Sequence, residues 1–240
     1  MIALLMAASA NAADPAPARG SITVTLIEGS ATATAKGATE ARTLFEGFLL
    51  AEGDVIQTGA DAKLEVLLGT GSILRFGPST RSELSVSPAT GGAFRLKLVA
   101  GNFWAKVAKL LGTDKFEVET ENGVSGVRGT ELRIETGTAG NPDLIRCYEG
   151  AVEVKAPDGK WSHRVEPGSE LTFHRLRGSA GPRRFDPRSE RRHPFMSWVR
   201  KAGPRAHPVR RRAPVKLERK RPTRTPPLKN QKQRRRNQRE

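Results

Sequence analysis

The chain is 240 residues long and carries 41 Lys and Arg against 25 Asp and Glu, a formal net charge of +16; that length suits one domain, or two small ones, with a buried core. The charge is unevenly spread: residues 1–174 hold 17 basic and 21 acidic side chains, whereas residues 175–240 hold 24 and 4. A mildly acidic body followed by a strongly basic segment excludes a basic globular reader of DNA, and no apolar stretch approaches the roughly 18–20 residues that a transmembrane helix needs.

Residues 1–8 are apolar, and Ala10-Asn11-Ala12 fits the small-x-small pattern of a signal-peptidase site, which predicts a signal peptide over residues 1–12 and export to the periplasm or cell envelope. No Lys or Arg precedes Arg19, so the positive region of a signal is missing; an upstream start or an Ala-rich terminus that is not a signal are the alternatives. Residues 13–20, with Asp14-Pro15-Ala16-Pro17-Ala18, read as a linker. The single cysteine, Cys147, allows no intrachain disulfide.

From residue 21 to 174 the dominant signal is alternation. Leu64, Val66 and Leu68 alternate with Glu65 and Leu67; Phe94, Leu96 and Leu98 with Arg95 and Lys97; Phe103 and Ala105 with Trp104 and Lys106. Leu132 and Ile134 alternate with Glu131, Arg133 and Glu135, and Val152 and Val154 with Glu153 and Lys155. A period of two with hydrocarbon on one side and charge on the other predicts sheets wet on one face. Turn signals such as Glu28-Gly29, Gly69-Thr70-Gly71, Asn122-Gly123, Asp158-Gly159 and Pro167-Gly168 separate the runs, often about 8–12 residues apart. The expected fold is all-β: many short antiparallel strands in a β-sandwich or roll, or a short solenoid-like stack, over residues 21–174.

Two stretches carry a longer pattern. The first is Glu52-Gly53-Asp54-Val55-Ile56-Gln57-Thr58-Gly59, leading into Lys63-Leu64-Glu65-Val66. The second is Phe116-Glu117-Val118-Glu119, then Val127-Arg128-Gly129-Thr130-Glu131-Leu132, then Glu149-Gly150-Ala151-Val152-Glu153-Val154. In series they resemble the FecR domain family, with its GD-x-I-x-TG turn, V-R-G-T-x-F turn and E-G-x-V-x-V hairpin, over about residues 44–156. The resemblance implies an extracytoplasmic, non-catalytic domain. In that family it belongs to cell-surface signalling proteins that control a sigma factor, and to envelope proteins of unknown role. Two departures stand out: the anti-sigma segment and transmembrane helix that precede the domain in full regulators have no counterpart here, and Gly69-Thr70-Gly71-Ser72 stands where the family often has Asp-Gly-Ser. Gly53, Asp54, Gly59, Arg128, Gly129, Thr130, Glu149 and Gly150 are the motif positions. Turn formation is the first role expected of them, with the Asp54 carboxylate and the Thr130 hydroxyl capping backbone N–H groups and Arg128 offering a planar fork to a carboxylate or to carbonyls; contact with a ligand or partner is the second.

Catalytic signatures are absent from the sequence: there is no Gly-x-Ser-x-Gly elbow, and the glycine-rich run 123–130 is flanked by strand patterns rather than by the helix a phosphate cradle requires. His163, His174, His193 and His207 form no His-x-x-x-His pair, and Cys147 shares its alternation with Ile145, as a small core residue would. No cofactor or metal is expected. The pairs Glu117/Glu119 and Glu131/Glu135 read as hydrated strand faces.

Residues 175–240 hold nine of the 16 prolines and read as a disordered or extended basic tail, with clusters Arg210-Arg211-Arg212, Arg219-Lys220-Arg221 and Arg234-Arg235-Arg236. One exception is Phe195, Trp198 and Val199, spaced for one or two helical turns that dock on something. Such a tail binds dense polyanions in a salt-dependent way. If the protein is exported, these are anionic envelope polymers or an anionic membrane surface; if not, nucleic acid, bound without sequence preference. The expected function is therefore a non-catalytic envelope binding, scaffold or signalling module anchored by its tail, with an unknown envelope protein as a further partner. The alternatives are a polyanion or nucleic-acid binder and a trans-acting partner in sigma-factor signalling.

Overall fold

Alternation at this density produces two layers, because each sheet has one apolar face to bury. The computed structural model describes residues 21–87, 93–109, 116–136 and 140–203, and contains eighteen strands and two helices, numbered in chain order. Sheet I runs β4 (Leu49–Leu50), β1 (Ile22–Glu28), β6 (Lys63–Leu68), β7 (Ile73–Phe76), the second half of β9 (Ala93–Lys106), β12 (Glu131–Thr136), β13 (Asp143–Glu149) and β16 (Ser169–His174). Short strands β17 (Gly178–Ser179) and β18 (Arg183–Arg184) lie on its far edge. Sheet II runs β3 (Ala41–Thr43), β2 (Ala31–Thr34), β5 (Val55–Thr58), β8 (Arg81–Ser87), the first half of β9, β10 (Phe116–Glu119), β11 (Val124–Val127), β14 (Val152–Lys155) and β15 (Ser162–Val165). Every pairing is antiparallel except β9 with β10. Hairpins are dealt alternately to the two layers (β10–β11 to sheet II, β12–β13 to sheet I, β14–β15 to sheet II), so the fold is a sandwich stacked in the manner of a short solenoid.

β9 belongs to both layers. It turns from one to the other at Gly101, whose φ of +101° is open only to glycine, and a Cβ there would sit 2.4 Å from the Thr80 hydroxyl oxygen. That hydroxyl donates to the Asn102 carbonyl and accepts from the Asn102 N–H, both at 3.1 Å, and pins the corner. Apolar side chains fill the space between the sheets: Leu64, Val66, Leu74, Phe76, Phe103, Leu132, Ile134 and Leu171 from sheet I meet Ile56, Leu84, Leu96, Phe116, Val118, Val152 and Val154 from sheet II, and Leu64, Val66, Leu96, Phe103, Leu132, Ile134, Val152 and Val154 among them are those the alternation predicts.

The folded body does not end at residue 174. β17 and β18 are followed by α1 (Pro187–Arg192) and α2 (Pro194–Ala202), so the stretch 175–203, which composition assigns to an extended tail, is part of the fold. Asp186 caps α1 by accepting from the Arg188 N–H at 2.9 Å. α2 places Phe195, Met196, Trp198 and Val199 on one face, and all four are buried. The helical turns expected from that spacing dock on the outer face of sheet I. Arg and Pro dominate the composition here, and four apolar side chains on one helix face outweigh them because they have a sheet to cover. The clusters Arg210-Arg211-Arg212, Arg219-Lys220-Arg221 and Arg234-Arg235-Arg236 lie outside the described residues.

Candidate functional site

The outer face of sheet I is the most unusual surface of the molecule. Directly opposed residues form one row across it: Glu65 on β6 faces Arg75 on β7, Arg75 faces Trp104 on β9, Trp104 faces Arg133 on β12, and Arg133 faces Arg146 on β13. Arg146 then faces Glu170 on β16, and Glu170 faces Arg183 on β18. Period-two reasoning places these side chains in water. Instead all of the row but Arg183 at its edge is withdrawn from water, and Arg75 and Arg133 are 1% and 2% exposed.

Buried charge requires partners. Arg75 bonds Glu65 through Nε at 2.8 Å, and its other nitrogens donate to the carbonyls of Val199 at 2.6 Å and Gly203 at 2.5 Å, so it closes the C-terminal end of α2. Its guanidinium also lies 4.8 Å from the Trp104 ring centre and 5.6 Å from that of Trp198. Leu67, Ile73 and Trp104 join the four buried residues of α2 in a second apolar cluster. The Trp198 indole N–H donates to Glu28 at 2.7 Å, which, with the Lys63 hydrogen bond, holds that carboxyl below its ordinary range.

The adjoining pair Arg133 and Arg146 places two like charges directly opposite each other, an arrangement that is unfavourable alone. Glu190 of α1 enters between them. Its Oε1 accepts from Arg133 at 3.0 Å and from Arg146, and its Oε2 accepts from the Tyr148 hydroxyl at 2.5 Å. Burial raises the Glu190 pKa, but the Tyr148 hydrogen bond and the two guanidiniums prevail, leaving it below the ordinary value. Burial and Glu190 together push Tyr148 well up. His193, between the helices, has Nε2 2.9 Å from Arg133; burial and that cation hold its pKa down, so the ring is neutral and accepts. Arg133 also bonds Glu135 at 3.1 Å, and Arg146 and Arg183 share Glu170 at 2.7 and 2.9 Å.

The motif positions lie elsewhere and serve the backbone. Asp54 is buried; its carboxylate caps the turn by accepting from the Ala51 N–H at 2.9 Å and pairs with Arg42 at 3.2 Å. Gly53 packs on the Lys36 side chain and Gly59 on Ser30. Thr130 does not cap an N–H: its hydroxyl donates to the carbonyls of Ala151 at 3.1 Å and Arg128 at 3.2 Å. The Arg128 side chain is exposed. Gly150, with φ +76°, lies so close that a Cβ would approach the Gly129 carbonyl oxygen to 2.6 Å, which locks the two motif turns together. Glu149 is exposed and shares Lys106 with Glu131, at 3.3 and 3.5 Å. Cys147 points into the core, where burial pushes its thiol up to about 11.

The structure therefore brings together a set that sequence reasoning missed, Arg75, Arg133, Arg146, Glu170 and Glu190, and keeps the motif residues apart from it. The available signal was Arg at alternating outward positions on neighbouring strands beside the outward apolar residues Leu67, Ile73 and Trp104. Among the described residues, no three His, Cys, Asp or Glu side chains converge as a metal site, and no helix is long and apolar enough to cross a membrane.

No curated protein matches this chain. Two crystal structures of a candidate anti-sigma factor from Parabacteroides distasonis ATCC 8503 are similar to it. The 1.65 Å structure is 16% identical with a TM-score of 0.49, over 55% of this chain and 60% of that one. The 2.50 Å structure is 15% identical with a TM-score of 0.50, over 61% and 71%, a likeness of fold. Residues 54–153, from the Asp54 turn to Glu153 on β14, match the family model described as FecR protein, the family that the serial motifs resemble.

Proposed function

We propose that the chain is a non-catalytic FecR-type module of the cell envelope, exported after cleavage behind Ala12, that binds or signals through its β body and is held by its basic segment on anionic envelope polymers or lipids. One observation carries this reading: residues 1–174, which contain the FecR match, hold 17 basic against 21 acidic side chains, and residues 175–240, which begin with the helical cap and continue beyond it, hold 24 against 4. Several Lys and Arg side chains together release counterions from a polyanion, giving salt-sensitive attachment that needs no shaped pocket. The motif residues support a module without chemistry of its own, because Asp54, Thr130 and Gly150 serve turns. The outer face of sheet II, with Arg95 paired to Glu117 at 3.0 Å and exposed Glu153 and Lys155, is a mixed-charge surface suited to a partner.

Fractionation with mass spectrometry of the mature N-terminus tests this. The expected result is a chain starting at Ala13 in the envelope fraction, released by salt. Uncleaved protein in the cytosol overturns it and leaves the nucleic-acid alternative, in which the basic segment governs retention on DNA and heparin. A second reading, a trans-acting partner in surface signalling, draws on the FecR match and on the fold shared with the 2.50 Å structure. It expects a membrane protein to be recovered with the chain from envelope extracts, and recovery of none counts against it.

A further inference from the structure

The helical cap has two faces of opposite character. Its inner face buries Phe195, Met196, Trp198, Val199 and the carboxylate of Glu190. Its outer face carries Arg188, Arg191, Arg192, Arg200 and Lys201, all exposed. Helical periodicity sets this division: 188, 191 and 192 are spaced i, i+3, i+4 on α1, opposite Glu190. Arg200 reaches from α2 to donate to the carbonyls of Glu190 at 3.3 Å and Arg191 at 2.8 Å, which ties the basic sides of the two helices into one patch. The Glu190 carboxylate, which lies within this basic run, is drawn inward by Arg133, Arg146 and Tyr148, so the acidic neighbours left to the patch are Asp186 at the start of α1 and Glu28 near Lys201. Arg75 anchors the far end of α2, so the patch is rigid.

We propose that this outer face is a preformed docking surface for an anionic phospholipid membrane, which orients the folded body with sheet I toward the lipid and sheet II away from it. The inference rests on the envelope reading above and deepens it: the contact begins on the fold, not only in residues 204–240. Two observations favour a bilayer over a nucleic acid. The aromatic rings of the cap, Phe195 and Trp198, are buried, so neither can stack on a base. On the edge of sheet I from which the chain leads to α1, Leu176 is 79% exposed between exposed Arg175 and Arg177, a pattern suited to insertion among headgroups.

The test uses the full chain and cosedimentation with phosphatidylcholine vesicles prepared with or without phosphatidylglycerol. Binding is expected only to the anionic vesicles and to weaken with salt. Each basic side chain at such a surface changes partitioning by roughly fivefold, so the variant carrying Arg188→Gln, Arg191→Gln, Arg192→Gln and Lys201→Gln should lose at least about tenfold with an unchanged circular dichroism spectrum. The single variant Arg188→Gln, with a loss of about fivefold, gives the same answer if the fourfold variant misfolds. A second protein, with Arg210→Gln, Arg211→Gln and Arg212→Gln, separates the two ideas. If it alone binds more weakly, the cap proposal is overturned and the tail anchor stands; if only the cap variants bind more weakly, the tail anchor fails and the cap proposal stands. Failure of the wild-type chain to bind anionic vesicles overturns the proposal. So does cap-dependent binding to duplex DNA that is tighter than binding to vesicles.

Discussion

Replacing Glu190 by Gln is the sharpest test of how the cap is held. The carboxylate is 5% exposed and accepts from Arg133, Arg146 and Tyr148. Glutamine keeps the shape and can still bond Tyr148, but two guanidiniums then face each other across β12 and β13. Removing one partner of a buried ion pair costs about 3–5 kcal/mol. The lower end applies here, because Arg133 keeps Glu135 and Arg146 keeps Glu170. At about 2–4 °C per kcal/mol for a protein of this size, the midpoint should fall by roughly 6–12 °C. Thermal unfolding followed by circular dichroism at neutral pH measures it. The folded pKa of Glu190 lies below its ordinary value of 4.5. Its contribution is therefore complete above that ordinary value and is lost as pH falls through the lower folded value, so the gap between wild type and variant should close in acid. A midpoint within about 2 °C of wild type at neutral pH, or a gap that widens in acid, would refute the reasoning.

Trp198→Ala removes the ring between Phe195, Arg75 and Glu28, and should cost about 3–5 kcal/mol in urea unfolding; an unchanged midpoint would mean the cap does not need its apolar face. Gly150→Ala places a methyl group 2.6 Å from the Gly129 carbonyl oxygen at a positive φ, so a loss of at least about 1–2 kcal/mol in the same assay is expected, whereas Gly159→Ala, with open space around it, should lose only the conformational part. His193 has a folded pKa below 6.5 and the unfolded chain binds its proton more readily, so stability should decline as pH drops from about 6.5 toward the folded value; His193→Gln, which still offers Arg133 an acceptor, should flatten that decline in a pH series of melting curves.

The inward faces of β6, β9, β12 and β14 were legible, because hydrocarbon at every second position has one use in a sheet. Leu64, Val66, Leu96, Leu132 and Val152 all point into the core. What lies on the opposite side was not. Alternation distinguishes two faces of a strand, and it cannot tell a charged residue in water from one beneath a helix: Arg95 and Arg133 occupy equivalent places in their local patterns, yet one is exposed and the other is 2% exposed. The difference is made by residues 187–203, far along the chain, and their effect depends on registry between strands that a linear pattern does not contain. The motif turns were found because turn chemistry is local. Thr130 was given the wrong partner because the Ala151 carbonyl is brought to it by a turn 20 residues away.

The doubly shared strand has a mechanical consequence. Sheet I orders its pairings through β7, β9 and β12, and sheet II through β8, β9 and β10, so no described ladder joins a strand before β9 directly to one after it. β9 is a keystone, and the cap also hydrogen-bonds both halves, through Glu28 and Arg75 on one side and Arg133 and Arg146 on the other. Pulling the termini apart should accordingly shed the helices first and then split the molecule along a single seam, with the amides of β9 the last to exchange with solvent.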